Sequence, residues 1–233
     1  MKILAVFAHP DDESYGPAGT LAKASRNGNI VSLLTLTRGE SGTVGISKNF
    51  SDDELAQIRH REVLQAAKIL GIQRVQIHNL SDNKLQDTPN EEGVDIIKKE
   101  INRFKPDSVI TYHENGISGH PDHLAVTNWT VEAAKSIPQS PSIFLYGFDR
   151  LQTSMITFQK LFPIANHEIT HRINVANYID QKIAAIRCHK TQESVWHQFE
   201  KQKIDFKKFA EWDVFVQKWP ETENLRIKYD LFE

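Results

Sequence analysis

KILAVFAHPDDESYG, residues 2–16, opens the chain. Its first half is continuously apolar, the pattern of a strand covered on both faces, as in a parallel sheet. Its second half delivers a histidine, a proline and three acids straight off the end of that strand. Carboxylates and imidazoles are costly to bury unless they are paired or bound to a cation. The same His-Pro-Asp string returns in GHPDH, residues 119–123, after a second apolar run.

The pattern extends outward from the first strand. Pro17 to Arg26 reads as a helix stopped by Asn27-Gly28, and IVSLLTLT, residues 30–37, as a second buried strand. Two such strands around a short helix make a βαβ unit and a parallel sheet. Residues 38–50 are rich in Gly, Ser and Thr and read as a loop. Ser51 and Glu54 have the spacing of a capping box, predicting a helix to Leu70 closed by Gly71. Strands follow at 75–80, 108–112 and 142–148, with helices at 94–104 and 123–137 between them. Beyond that, 168–175 alternates like a strand and 178–199 reads as one long amphipathic helix. Phe206, Phe209, Trp212, Phe215 and Trp219 recur at roughly helical spacing, predicting an aromatic helix packed on the rest. The fold class expected is α/β: a Rossmann-like open, mostly parallel sheet flanked by helices, with a C-terminal helical, aromatic tail, in a single domain over 1–233.

Composition narrows the function classes. Of 233 residues, 39% are hydrophobic and 25% charged, and the formal net charge is −2. That balance offers no basic excess for polyanions, so no nucleic-acid partner is expected. No run of about 20 apolar residues is present, so no membrane span is expected. The first apolar run stops at His9, too short for a secretory signal. With a single cysteine, Cys188, the chain suits a reducing compartment, and a cytoplasmic location is the default expectation. The aromatic tail could serve a homo-oligomer interface.

In open α/β sheets ligands bind beyond the carboxyl ends of the strands. His9 to Glu13 follow the first strand, Asp82 the third and His113 to His123 the fourth. His9 and Asp12 are close enough to share one ion, and His120, His123 or both could complete its shell. Two imidazoles and a carboxylate leave coordination positions for water and substrate, the mark of a catalytic metal. Zinc suits hydrolysis because it is redox-inert and lowers the pKa of bound water to about 7; iron(II) fits the same ligands. No G-x-G-x-x-G follows the first strand, which argues against a dinucleotide site.

AHPDDE and GHPDH together resemble the signature of the PIG-L/LmbE-like family, metal-dependent de-N-acetylases of N-acetylglucosaminyl compounds. LTRGESGT (36–43), Arg59-His-Arg-Glu62 with AAKILG, NLSDNKL (79–85) and KIAAIRCHKTQ (182–192) extend the resemblance over about residues 1–195. It implies His9, Asp12 and His123 as metal ligands and Asp11 as the general base. His120 would stabilise the oxyanion as a cation, with Asp122 holding its ring. Arg59 would clamp the substrate, in place of an ordinary Arg59–Glu62 ion pair, and Asp82 would meet a sugar hydroxyl. Glu13 would support the ligand loop. The tyrosine that some members carry two residues before the first histidine of the second motif is Ser118 here, so its role is either absent or taken by another group, Tyr112 or Tyr15 being the candidates. The implied substrate is a small molecule containing N-acetylglucosamine. The rival readings are an amidase or esterase on a non-sugar acyl substrate, and a sugar-binding module that holds a metal without catalysis.

Overall fold

The computed structural model describes residues 1–42, 50–221 and 226–231. In chain order the elements are β1 (Lys2–Phe7), α1 (Asp12–Tyr15), α2 (Ala18–Arg26), β2 (Ile30–Thr37), α3 (Asp52–Leu70), β3 (Arg74–Leu80), α4 (Asn90–Phe104), β4 (Ser108–Tyr112), α5 (Gly116–Gly119), α6 (Pro121–Lys135), β5 (Ser142–Gly147), α7 (Arg150–Ser154), β6 (His171–Asn174), α8 (Ile179–Ile186), α9 (Glu193–Lys201), α10 (Phe206–Phe209) and β7 (Trp212–Trp219). The sheet runs β3-β2-β1-β4-β5-β7-β6. Its first five strands are parallel, while β7 lies antiparallel to both β5 and β6. The expected α/β architecture is present. Part of the 38–50 loop, residues 43–49, lies outside the described residues.

The strand order places the site. β1 pairs with β2 on one side and with β4 on the other, Ile3 opposite Ser108 and Ala5 opposite Ile110. Chain order reverses at that pairing, and the segments leaving β1 and β4 therefore emerge side by side. That is the switch point at which such sheets bind ligands. Two His-Pro-Asp strings far apart in sequence meet there.

Local signals explain the helix ends. Ser51 and Glu54 form the capping box reciprocally, and Gly71 closes α3 at φ 72°, which suits glycine. Pro121 sits in the first turn of α6, where its missing N–H costs nothing, and His120 precedes it as N-cap. Gly19 in α2 packs directly on the side chain of Val175.

Two expected helices are corrected. The stretch 178–199 is not one helix: α8 ends at Ile186 and α9 starts at Glu193, with a 3-10 turn Lys190–Gln192 between them. His189 turns fully inward, and the Thr191 N–H donates to Glu62 (3.0 Å) instead of to a carbonyl one turn back. In the tail only Phe206–Phe209 is helical, and Trp212–Trp219 is a strand of the sheet. Phe209, Trp212 and Phe215 mimic a three-residue period, but Val214 and Val216 pair with Gly147 and Leu145 of β5.

His171 gives the sheet edge a pH dependence. It is 1% exposed, its ring lies edge-on to Phe144 at 5.1 Å, and its Nε2 has no hydrogen-bond partner among the described residues. Burial, helped by Lys228 and opposed by Asp230, pulls its pKa down to about 4. Between pH 6.5 and 4 the unfolded chain therefore binds a proton that the folded chain refuses, and stability falls as pH drops through that window. At the usual 1.36 kcal/mol per unit the loss is at most about 3.4 kcal/mol. His171→Leu is expected to flatten this slope, read as the shift in urea midpoint between pH 7 and pH 4.5. An unchanged slope in the variant would assign the acid sensitivity to other groups.

Candidate metal centre

The turn after β1 is built to point side chains into the switch point. Asp11 takes φ 125°, ψ −23°, a sparsely populated conformation for a residue with a side chain. Its carbonyl accepts from the N–H groups of Ser14 and Tyr15 (both 2.9 Å), and its own N–H donates to Glu13 Oε2 (3.0 Å). This bend sends Asp11 and Asp12 in different directions.

His9, Asp12 and His123 converge. His9 Nδ1 lies 3.3 Å from Asp12 Oδ2, and His123 Nε2 lies 3.4 Å from Asp12 Oδ1. Donors bonded to zinc at about 2.1 Å in a tetrahedron stand about 3.4 Å apart, so these separations fit one cation. The other ring nitrogens fit as well. His9 Nε2 lies 3.1 Å from both Asp82 Oδ1 and Asp122 Oδ2, and His123 Nδ1 lies 3.1 Å from the Gly116 carbonyl. A carboxylate or carbonyl on the far nitrogen is the usual way a ligating histidine is oriented. Burial favours a neutral Asp12, but His123 and His9 outweigh it and hold the carboxyl well below the usual range.

A second grouping, His9, His120 and Asp122, has donor atoms equally near one another. Its carboxylate is already committed. Asp122 is fully buried and accepts from the N–H groups of Asn83 (2.8 Å) and Leu85 (3.0 Å) besides facing His9. Asp12 Oδ2 is engaged as well, by the His9 N–H (2.8 Å) and the Tyr112 hydroxyl, so both sets are candidate ligand groups.

The expected pairing of Asp122 with His120 takes a different form. The ring of His120 is met by the main-chain N–H of Asp122, which donates to Nδ1 (3.2 Å). Nδ1 is therefore an acceptor, and any proton on the ring sits on Nε2. Burial and the neighbouring His123 and His9 rings lower the His120 pKa, against Asp122 and Asp12. Whether neutral or cationic, the ring can donate from Nε2.

Arg59 is 3% exposed. Its guanidinium donates to the carbonyls of Gly39 (2.9 Å) and Pro10 and lies 3.1 Å from Asp11 Oδ1. Gly39, at φ 69°, leaves it room, since a Cβ there would stand 2.6 Å from the guanidinium carbon. Glu62 does not pair with Arg59 but accepts from the N–H and hydroxyl of Thr191. Asp82, expected at a sugar hydroxyl, faces His9 and accepts from the Ser41 N–H (2.9 Å). Tyr112 donates to Asp12 and accepts from the Ala8 N–H (2.7 Å), with its ring stacked on His123 at 4.0 Å. Tyr15 donates to the Gln192 carbonyl. Both candidate tyrosine hydroxyls are thus engaged within the protein.

The motif reading gave Glu13 as a support of the ligand loop but did not pair it with His189. Glu13 and His189, both 0% exposed, meet at 2.7 Å, and the Ser14 hydroxyl donates to the same carboxylate oxygen (2.6 Å). The signal available was the acid after Asp12 together with the lone histidine of CHKTQ.

These features define an open α/β protein with a candidate two-histidine, one-carboxylate cation site at its switch point. A family model described as PIG-L, GlcNAc-PI de-N-acetylase, matches residues 4–134. The chain belongs to the PIG-L family. It is 38% identical to a 1D-myo-inositol 2-acetamido-2-deoxy-alpha-D-glucopyranoside deacetylase of Nakamurella multipartita, covering 82% of this chain and 79% of that one. It is 31% identical to a probable N-acetyl-alpha-D-glucosaminyl L-malate deacetylase 2 of Bacillus anthracis, covering 82% and 80%. Among solved structures, GalB, the 4-carboxy-2-hydroxymuconate hydratase of Pseudomonas putida, superposes with a TM-score of 0.71 at 18% identity, covering 97% and 99%. That likeness is one of fold. Among the described residues no helix is long and apolar enough to cross a membrane.

Proposed function

We propose that the chain is a zinc-dependent hydrolase that removes the N-acetyl group of an N-acetylglucosamine-type small molecule. The observation that carries this reading is the pairing of a three-donor cluster with a neighbouring acid, held by Arg59, that takes no part in it. His9, Asp12 and His123 are backed on their outer sides, while Asp11, next in sequence, points elsewhere, toward Arg59. A module that only held a metal would have no use for Asp11 in a strained turn.

A divalent ion held by His9, Asp12 and His123 would supply Lewis acidity, lowering the pKa of water and polarising the acyl oxygen. The chain's own residues do the rest. Asp11 accepts the proton of the attacking water as the new C–O bond forms. Arg59 fixes the direction of that carboxylate, and the Asp11 N–H to Glu13 bond fixes its backbone. His120 aims Nε2–H at the developing oxyanion, a donor of a kind worth about 3–4 kcal/mol. Asp11 then passes its proton to the departing nitrogen as the C–N bond breaks. Asp82 and Asp122 keep His9 in one ring orientation throughout.

The family match and the two sugar deacetylase relatives support this reading, while the hydratase on the same scaffold shows why fold alone does not. The test is acetate release from N-acetylglucosamine and a set of its α-glycosides. Release is expected with zinc, loss on chelation, and recovery on adding zinc or iron(II). Absence of release across the set by protein that holds one equivalent of metal would overturn the proposal.

A further inference from the structure

A buried ion pair that the proposed chemistry does not use sits behind the turn that carries Asp12. Lys182 of α8 and Asp213 of β7 are each 1% exposed, with Lys182 Nζ 3.7 Å from Asp213 Oδ1. Their other contacts fall around one corner of the chain, Gly16–Pro17, where α1 ends and α2 begins. Lys182 Nζ donates to the Gly16 carbonyl. Asp213 Oδ2 accepts from the Thr20 N–H and hydroxyl, both at 2.8 Å. In a helix begun one residue earlier, with Pro17 at its first position, the Thr20 N–H would donate to that same Gly16 carbonyl. The ion pair therefore occupies both ends of a main-chain hydrogen bond and keeps it from closing.

The corner is tied to Asp12 by a short path. The Gly16 N–H donates to the Asp12 carbonyl (2.8 Å), and the chain is wound so tightly there that a Cβ on Gly16 would stand 2.4 Å from that oxygen. Stability alone gives no reason for charges at this place, since apolar residues of similar volume often replace a buried ion pair without loss. Burial also draws the Lys182 ammonium toward its neutral form, against Asp213. What an apolar side chain could not do is hold the Gly16 carbonyl away from Thr20. Without the pair those two groups would lack partners and would satisfy each other, lengthening α2 and drawing Gly16 off Asp12. We infer that Lys182 is a positioning residue: by gripping the Gly16 carbonyl it holds the α1–α2 corner open and fixes the direction of Asp12 toward His9 and His123. The inference rests on the reading of Asp12 as a metal ligand.

The experiment measures the zinc Kd of the full chain, by competition with a chromophoric chelator, beside Tm, kcat and KM. Lys182→Met/Asp213→Leu releases both ends of the bond. Zinc is expected to bind about 10- to 100-fold more weakly, the usual cost of losing a group that orients a ligand. Turnover should fall with KM near normal, and Tm should stay close to wild type. Asp213→Asn is the control for a merely structural role. Its amide oxygen still accepts from Thr20, and the Lys182 amine, charged or neutral, still donates to Gly16. Its Tm is therefore expected to fall while the zinc Kd stays within about threefold of wild type. If the first variant does not fold, Lys182→Met/Asp213→Asn, which frees only the Gly16 carbonyl, takes its place. An unchanged zinc Kd in the double variant overturns the inference, and so does an equal loss of affinity in Asp213→Asn. Should the wild type hold no zinc, or Asp12→Asn hold as much as the wild type, the metal reading fails, and hydrogen exchange in the metal-free protein decides the corner. There the Gly16 N–H is expected to exchange at least about tenfold faster in the double variant, and an equal rate overturns the inference.

Discussion

Asp11→Asn is expected to lower kcat by about 10²- to 10⁴-fold, the range over which a positioned general base contributes, with metal content unchanged. The substitution suits the geometry. Asparagine keeps the size of the side chain and is among the residues that tolerate positive φ, so the turn at φ 125° survives. Alanine there would leave the strained backbone without the Arg59 contact that helps to hold it. Burial pushes the Asp11 carboxyl up, Arg59 pulls it down, and the nearby Asp12 adds to the rise. The amide keeps a polar group against Arg59 but cannot accept a proton. Metal stoichiometry separates this from a ligand effect, because Asp12→Asn should lose both metal and activity. A kcat within about threefold of the wild type, with metal in place, would remove Asp11 from the proton path.

The sequence-level reading reached as far as local rules and strand ends reach. Buried strand β1 is apolar from Ile3 to Phe7, β2 and β4 are apolar but for serines and threonines, and α3 announces both its ends through Ser51, Glu54 and Gly71. Each half of the His-Pro-Asp pair follows such a strand, and pairing of those two strands was enough to join His9, Asp12 and His123. What stayed hidden depended on partners far along the chain. Trp212–Trp219 became a strand because β5 and β6 offered it edges, and its aromatic spacing pointed the other way. Asp213 in that strand is 1% exposed and accepts from the Thr20 N–H and hydroxyl, links no local pattern encodes. The directions of Asp82, Asp122 and Arg59 were equally out of reach. Their residue types allow a sugar contact, a histidine partner or an ion pair, and only the packed loops choose.

Glu13→Ala is expected to cost about 3–5 kcal/mol, because it leaves the buried His189 ring without its partner. In a chain of 233 residues that corresponds to a Tm lower by about 6–20 °C. Burial draws His189 toward neutrality, yet Glu13, with Asp11 and Glu62 behind it, raises its pKa. The Nδ1 of His189 has no partner among the described residues, so once the carboxylate is gone the ring keeps the neutral Ser14 hydroxyl, 3.3 Å from Nε2, but no charged partner in contact. The double variant Glu13→Leu/His189→Leu tells stability from function. Replacing both halves of a buried pair by apolar groups is often close to neutral, so much of the lost Tm should return. Activity should not return with it. Glu13 Oε2 also accepts the Asp11 N–H, and no leucine can, so the base loses one of the bonds that hold its turn. A double variant restored in Tm yet still at least about tenfold down in kcat, with KM and metal content near normal, assigns Glu13 to positioning Asp11. Joint recovery of Tm and kcat would show that the pair only fills the space beneath the site.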